Sequence, residues 1–224
     1  MKTEVKICGL KTAEAVDRAV ALGASHTGFI FFPKSPRNLE PDDAGRLADR
    51  IRGQAKIVAV TVNADNDDLD EIVAALNPDI LQLHGSETPD RVLNVKAVYG
   101  LPVMKALSIR DAGDLEKVEP YVGIADRFLF DAKPPAGSEL PGGNGVSFDW
   151  KLLDALDGSV DYMLSGGLNV NNIGEALAQT RARAIDISSG VESAPGVKDL
   201  KLMESFFDAV RQAEAVTARS GSNT

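Results

Sequence analysis

Two side chains in the sequence could move a proton between neighbouring atoms. One is the thiol of Cys8, in Lys6-Ile7-Cys8-Gly9, and the other is the carboxyl of Asp131, which closes the apolar run Phe128-Leu129-Phe130. A thiol that titrates near ~8.5 is drawn toward thiolate by nearby cations and oriented N–H groups. A carboxyl leaving an apolar run sits in surroundings that suit an acid. One group poised as base and the other as acid is how a single site carries a proton from one atom to the next. Cys8 is the sole cysteine, and a lone cysteine equally fits the description of a small buried residue. Arg37 stands on the proline-braced stretch Pro33-Lys34-Ser35-Pro36-Arg37 and offers a fork that matches a carboxylate, although an arginine there also suits plain solvent.

A second chemistry is carried by two glycine- and serine-rich stretches, Ser165-Gly166-Gly167-Leu168 and Ser188-Ser189-Gly190-Val191. Glycine lets backbone N–H groups approach a phosphate closely, and serine hydroxyls add donors. Each stretch alone reads as an ordinary turn; two of the same chemistry favour a phosphate cradle. Gly143 and Gly145 lie in a long Pro/Gly loop, residues 133–146, and either extend that rim or act as hinges. Asn63, Gln82 and His84 could line a pocket or merely satisfy polar neighbours. Lys6 lies two residues before Cys8, so strand alternation aims both the same way. Facing inward, Lys6 needs a carboxylate partner, for which Asp131 and Asp186 are the candidates.

The elements that must position these groups follow a beat. Strand-like β-branched or aromatic runs begin near Val5, Thr27, Lys56, Asp79, Pro102, Arg127, Tyr162 and Ala184. That is one strand about every 28 residues in a chain of 224. Apolar stripes of helical period lie between them, such as Val16, Ala19 and Val20 between Thr12 and Gly23, and Leu69, Ile72, Val73 and Leu76 before Asn77-Pro78. The helices after the fifth and sixth strands have the weakest pattern. Alternating strands and helices without a composition break predict an α/β fold, a (β/α)8 TIM barrel in a single domain spanning 1–216, with 217–224 as a flexible tail. An open doubly wound sheet is disfavoured, because the turn Cys8-Gly9-Leu10-Lys11 lacks the dinucleotide fingerprint. In such barrels chemistry sits at the C-terminal strand ends, where Cys8, Arg37, Asp131, Asp186 and both glycine stretches fall. His26, ahead of the second strand, falls at the other end and reads as a surface or capping residue.

Quoted in chain order, Lys6-Ile7-Cys8-Gly9, Phe32-Pro33-Lys34-Ser35-Pro36-Arg37, Gln82-Leu83-His84-Gly85, Phe130-Asp131, Ser165-Gly166-Gly167-Leu168 and Asp186-Ile187-Ser188-Ser189-Gly190-Val191-Glu192 span strand one to strand eight. In these motifs the chain resembles the phosphoribosylanthranilate isomerases of tryptophan biosynthesis. The resemblance implies an Amadori rearrangement of an aminoaldose to an aminoketose, with Cys8 as general base and Asp131 as general acid. It implies that Arg37 contacts the anthranilate carboxylate. It also implies that the loops of Gly166, Gly167, Ser188, Ser189 and Gly190 hold the ribose phosphate. Gln82, His84, Gly143, Gly145 and Asp186 are added as substrate-binding candidates from their place at the rim, with Asp186 equally suited to a structural and electrostatic role beside Lys6.

No cofactor and no metal are expected, since the reaction needs no electron sink and His84 is the only imidazole at that rim, with no second one to share a metal ion. The balance of 33 acidic to 24 basic residues, net −9, argues against nucleic acid or an anionic membrane as partner. No apolar run approaches the roughly 18 residues of a membrane span, and no signal-like segment precedes the first strand. One cysteine fits a reducing cytoplasm. Monomer and homodimer both remain open. Two rivals are a phosphosugar synthase barrel, which needs a Lys/Glu pair at the rim with Lys105 as its lysine, and a barrel that binds phosphoribosyl ligands without chemistry.

Overall fold

The computed structural model describes residues 2–133, 142–143, 145 and 147–220. Its frame is eight parallel strands: β1 (Glu4–Cys8), β2 (His26–Phe31), β3 (Lys56–Thr61), β4 (Ile80–Leu83), β5 (Val103–Ile109), β6 (Arg127–Ala132), β7 (Tyr162–Leu164) and β8 (Ala184–Ile187). They bond in sequence order, and β1 pairs with β8 to close the barrel. Each begins within one residue of its expected start. The runs were legible because parallel strands buried on both faces need apolar side chains at nearly every position.

Alternation divides those side chains between two cores. Met104, Ala106, Leu129, Met163 and Ala184 fill the barrel's lower interior. Cys8, Val58 and Val60 form a smaller cluster with Ile30 and Ile80. The intervening residues, Phe29, Leu81, Phe130 and Ile185 among them, pack outward beneath the helices.

The helices are α1 (Ala13–Leu22), α2 (Pro41–Ala48), α3 (Asn66–Leu76), α4 (Pro89–Tyr99), α5 (Ile173–Gln179) and α6 (Leu200–Ser220). Thr12 caps α1 through the Ala15 N–H, and Gly23 ends it in the left-handed region. Asp65 and Asp68 form a capping box on α3, and Thr88 caps α4 ahead of Pro89. The two weakest expected helices are replaced by 3-10 turns, at Ala112–Lys117 and Glu119–Tyr121 after β5 and at Trp150–Ala155 after β6. Pro120 has no N–H to continue the turn, which splits the first of these segments. An antiparallel hairpin that the periodicity does not announce, β9 (Glu192–Ala194) with β10 (Val197–Lys198), joins β8 to α6.

Two expectations need correction, and two more concern residues beyond the described set. Residues 217–220 continue α6, where a tail was expected from 217, because no glycine or proline interrupts the segment before Gly221. Residues 221–224 and most of the 133–146 loop lie outside the described residues. His26 is not a surface residue. It opens β2 at the N-terminal barrel end, buried to 6%, with Nδ1 2.9 Å from the Ser25 hydroxyl. Burial, with Arg127 and Lys6 nearby and only partly opposed by Glu4, pushes its pKa down to about 4. Among the described residues no helix is long and apolar enough to cross a membrane.

Candidate active site

At the C-terminal ends of the strands lies a pocket of roughly 680 Å³, open mouth included. Its wall brings together ten of the thirteen residues singled out in the sequence: Cys8, Arg37, His84, Asp131, Gly143, Gly166, Gly167, Asp186, Ser188 and Ser189. The other three stand behind it. Gln82 is fully buried beneath His84, Gly145 lies beside the Ser189 hydroxyl, and Gly190 packs against the Leu168 carbonyl. Asn63 is also set back, tying the loop after β4 together by accepting from the Ser86 N–H at 2.7 Å. Ile30, Phe32, Val60 and Val62 supply an apolar wall, which single-residue motifs could not announce.

At the reacting end, β1 carries Cys8 and Lys6 on its inner face. Lys6 donates to Asp186 Oδ1 at 2.8 Å across the β1–β8 seam, so Asp186 is the partner that its burial demands. Opposite them β2 has only Gly28. A methyl there would stand 3.0 Å from the Cys8 sulfur and 3.1 Å from the Lys6 ammonium, so glycine is what lets thiol and cation share the space. Burial pushes the Cys8 thiol up, while Lys6 and Lys198 pull it down and Asp186 opposes them. The net direction is upward, contrary to the expectation that neighbouring cations would prevail, because the thiol is wholly enclosed. Lys6 itself is driven down by burial, but Asp186 and Cys8 outweigh that and hold it charged.

Asp131, at the end of β6, accepts the Ala132 N–H on Oδ1 at 2.8 Å. Its Oδ2 lies 3.6 Å from His84 Nε2, beyond hydrogen-bond reach. The Nδ1 of His84 is held by the Gln82 amide at 3.0 Å, which aims Nε2 at the carboxyl. Gly142 passes directly over both, since a Cβ on it would fall 2.3 Å from Asp131 Oδ2.

Arg37 is buried to 4% instead of solvated. Its Nε and Nη2 grip Glu192 at 2.8 Å each, leaving Nη1 as the nitrogen not engaged by that carboxylate. Lys198 Nζ joins the same carboxylate at 2.7 Å. Glu192 appeared in the sequence only as a motif residue, and Lys198 was missed. No spacing rule reaches a lysine on a two-residue strand. At the opposite wall Gly166 and Gly167 both have positive φ, and the loops after β7 and β8 face the pocket side by side. Lys105, the lysine a synthase would need, sits on the outer face of β5. It is bound to Glu87 at 2.9 Å and to the Leu83 and Gly85 carbonyls, away from the pocket.

Comparison with known proteins shows the family of the chain and agrees with its fold. Residues 5–209 match the family model described as N-(5'phosphoribosyl)anthranilate (PRA) isomerase. An N-(5'-phosphoribosyl)anthranilate isomerase of Sinorhizobium fredii is 84% identical over 224 residues, covering all of both chains. One of Rhizobium meliloti is 81% identical over 215 residues, covering 96% of this chain and all of its own. Among solved structures, phosphoribosyl anthranilate isomerase from Thermotoga maritima superposes with a TM-score of 0.84 at 32% identity, covering 94% of this chain and 99% of that one. Another such isomerase, in complex with reduced 1-(o-carboxyphenylamino)-1-deoxyribulose 5-phosphate, superposes with a TM-score of 0.81 at 30% identity over 94% of this chain and 99% of that one.

Proposed function

We propose, for a chain that belongs to the N-(5'-phosphoribosyl)anthranilate isomerase family and carries out that isomerisation in tryptophan biosynthesis, a mechanism in which Asp131 is the acid and Cys8 the base. The observation that carries it is that Cys8 and Asp131 line the same pocket, with the two glycine-serine loops and an apolar, arginine-bearing face around them. Neutral Asp131 donates its proton to the furanose ring oxygen. The bond from that oxygen to C1' breaks as the anilino nitrogen's lone pair forms the Schiff base. The Cys8 thiolate then removes the C2' proton, and the released electron pair forms the C1'–C2' double bond and neutralises the nitrogen. The enolamine tautomerises by taking a proton at C1' and losing one from the C2' hydroxyl, leaving the ketose. Nothing is oxidised or reduced overall.

Arg37 Nη1 faces the substrate carboxylate, and the apolar wall of Ile30, Phe32, Val60 and Val62 takes the aromatic ring. Ser188, Ser189 and the N–H groups of Gly166 and Gly167 hold the phosphate, with Gly145 and Gly190 supporting them. Gln82 orients His84, and Asp186 acts through Lys6. The partner is thus a small phosphorylated molecule met by one catalytic barrel, residues 1–216, working as a monomer or homodimer in the cytoplasm. A reducing compartment keeps its sole thiol competent.

The test is turnover of freshly generated phosphoribosylanthranilate, followed by decay of anthranilate-type fluorescence. Cys8→Ser is expected to retain fold and KM while kcat falls by about 10²–10⁴, because a hydroxyl is a far weaker base. Asp131→Asn is expected to fall comparably. Near-normal kcat in either variant would remove that residue from its role.

A further inference from the structure

We infer that Glu192 and Lys198, the facing ends of the β9–β10 hairpin, are positioning residues that tie the carboxylate-binding arginine to the backbone of the catalytic cysteine through a buried chain of ion pairs and hydrogen bonds. The inference rests on the roles proposed for Arg37 and Cys8. Glu192 receives Arg37 Nε and Lys198 Nζ on Oε1, and Arg37 Nη2 and the Gly196 N–H on Oε2. Lys198 Nζ also donates to the Ser188 carbonyl at 3.0 Å, and it lies 3.3 Å from the Ser188 hydroxyl. That hydroxyl donates to the Cys8 carbonyl at 3.0 Å. An unbroken path therefore runs from the guanidinium to the backbone of the base. None of the three charged side chains is more than 5% exposed.

Stability does not account for such a chain. Burying ions costs several kcal/mol each, and apolar residues of similar volume would serve a hairpin of three plus two residues at least as well. The placement of charge around the sulfur does account for it. The groups facing Cys8 are Lys6 on β1, Asp186 on β8, Lys198 on β10, and across the mouth Arg37 with its partner Glu192; Asp131 and His84 line the far side. Three cations against two carboxylates leave one net positive charge, which a thiolate neutralises when Asp131 holds its proton. Of the hairpin pair, Lys198 is the member that acts on the sulfur directly, whereas Glu192 faces Arg37. Its own burial lowers its pKa, with Glu192 opposing that shift.

This reading requires two variants to act in opposite directions. Lys198→Met removes that cation and is expected to raise the pH midpoint of Cys8 alkylation by iodoacetamide by about one unit, with kcat near neutrality falling roughly tenfold. Glu192→Gln leaves a second unbalanced cation and is expected to lower that midpoint, while KM rises roughly tenfold because Arg37 is no longer held. Lys198→Arg is expected to restore the wild-type midpoint. Cys8 is the sole cysteine, so the label reports one site. Shifts of the same sign, or none in either variant, would overturn the coupling. Fully alkylated enzyme that still turns over would overturn the base assignment, and the inference with it.

Discussion

Replacing Gly142 by alanine asks whether the loop after β6 must seat on the acid. The added methyl would lie 2.3 Å from Asp131 Oδ2 and 2.9 Å from His84 Nε2, where ordinary contact begins near 3.4 Å. Something must therefore yield by about 1 Å. Asp131 is anchored through Oδ1 to the Ala132 N–H, and His84 through Nδ1 to Gln82, so neither can retreat without losing a bond. Gly142 shifts or the carboxyl turns, and a misplacement of that size costs about a hundredfold in rate, or ~2.7 kcal/mol of barrier. Folding should hardly notice. Gly142 is not among the glycines with positive φ, so its backbone admits alanine, and the gain from a stiffer unfolded chain is about 0.4–1 kcal/mol. Steady-state fluorescence kinetics beside thermal melts would separate the two effects. A kcat within threefold of wild type at unchanged Tm would refute the claim that the loop rests on the acid during turnover.

Further outcomes follow from groups outside the pocket. Lys105→Met strands the buried carboxylate of Glu87, whose remaining donors are the N–H groups of Asn63 and Gly85, and is expected to lose about 3 kcal/mol of stability in urea titrations. Loss of kcat with stability intact would instead place Lys105 in the chemistry. His26 titrates near 4 when folded and near 6.5 when unfolded, so it contributes stability that is complete above about 6.5 and lost as the pH falls toward 4. The span corresponds to about 3 kcal/mol, and a His26→Gln variant should lack that part of the acid sensitivity when chemical unfolding is compared at the two pH values. Identical pH dependence in both proteins would contradict it.

What could be read in advance was whatever depends on neighbours in sequence. The strands were legible because enclosure on both faces makes most of their positions apolar, and Thr12 and Gly23 mark helix ends by local hydrogen bonding alone. Cys8, Asp131 and the serine-glycine loops were found because strand ends in a barrel are the functional end. Contacts across the ring were harder to foresee. Gly28 is an unremarkable strand glycine until β1 is laid beside it, and His26 looks like a turn residue until Arg127 and Glu4 close around it. Lys198 depends on a hairpin too short for any periodicity to show. The direction of the Cys8 titration was misjudged for the same reason, since cations could be counted from sequence but enclosure could not.

The seam between β1 and β8 has one more consequence. Lys6 meets Asp186, and the Cys8 carbonyl meets Ser188, each across 180 positions of chain. During synthesis the thiol emerges some 180 positions ahead of its partners across the seam. Until they arrive it lacks the Lys6–Asp186 pair and the Ser188 contact that surround it in the closed ring. Contacts of such separation are slow to form, and they pay their loop-closure entropy all at once. Assembly of the ring and birth of the reactive centre are thus one event, which gives a ribosome-released chain a sharp boundary between inert and competent.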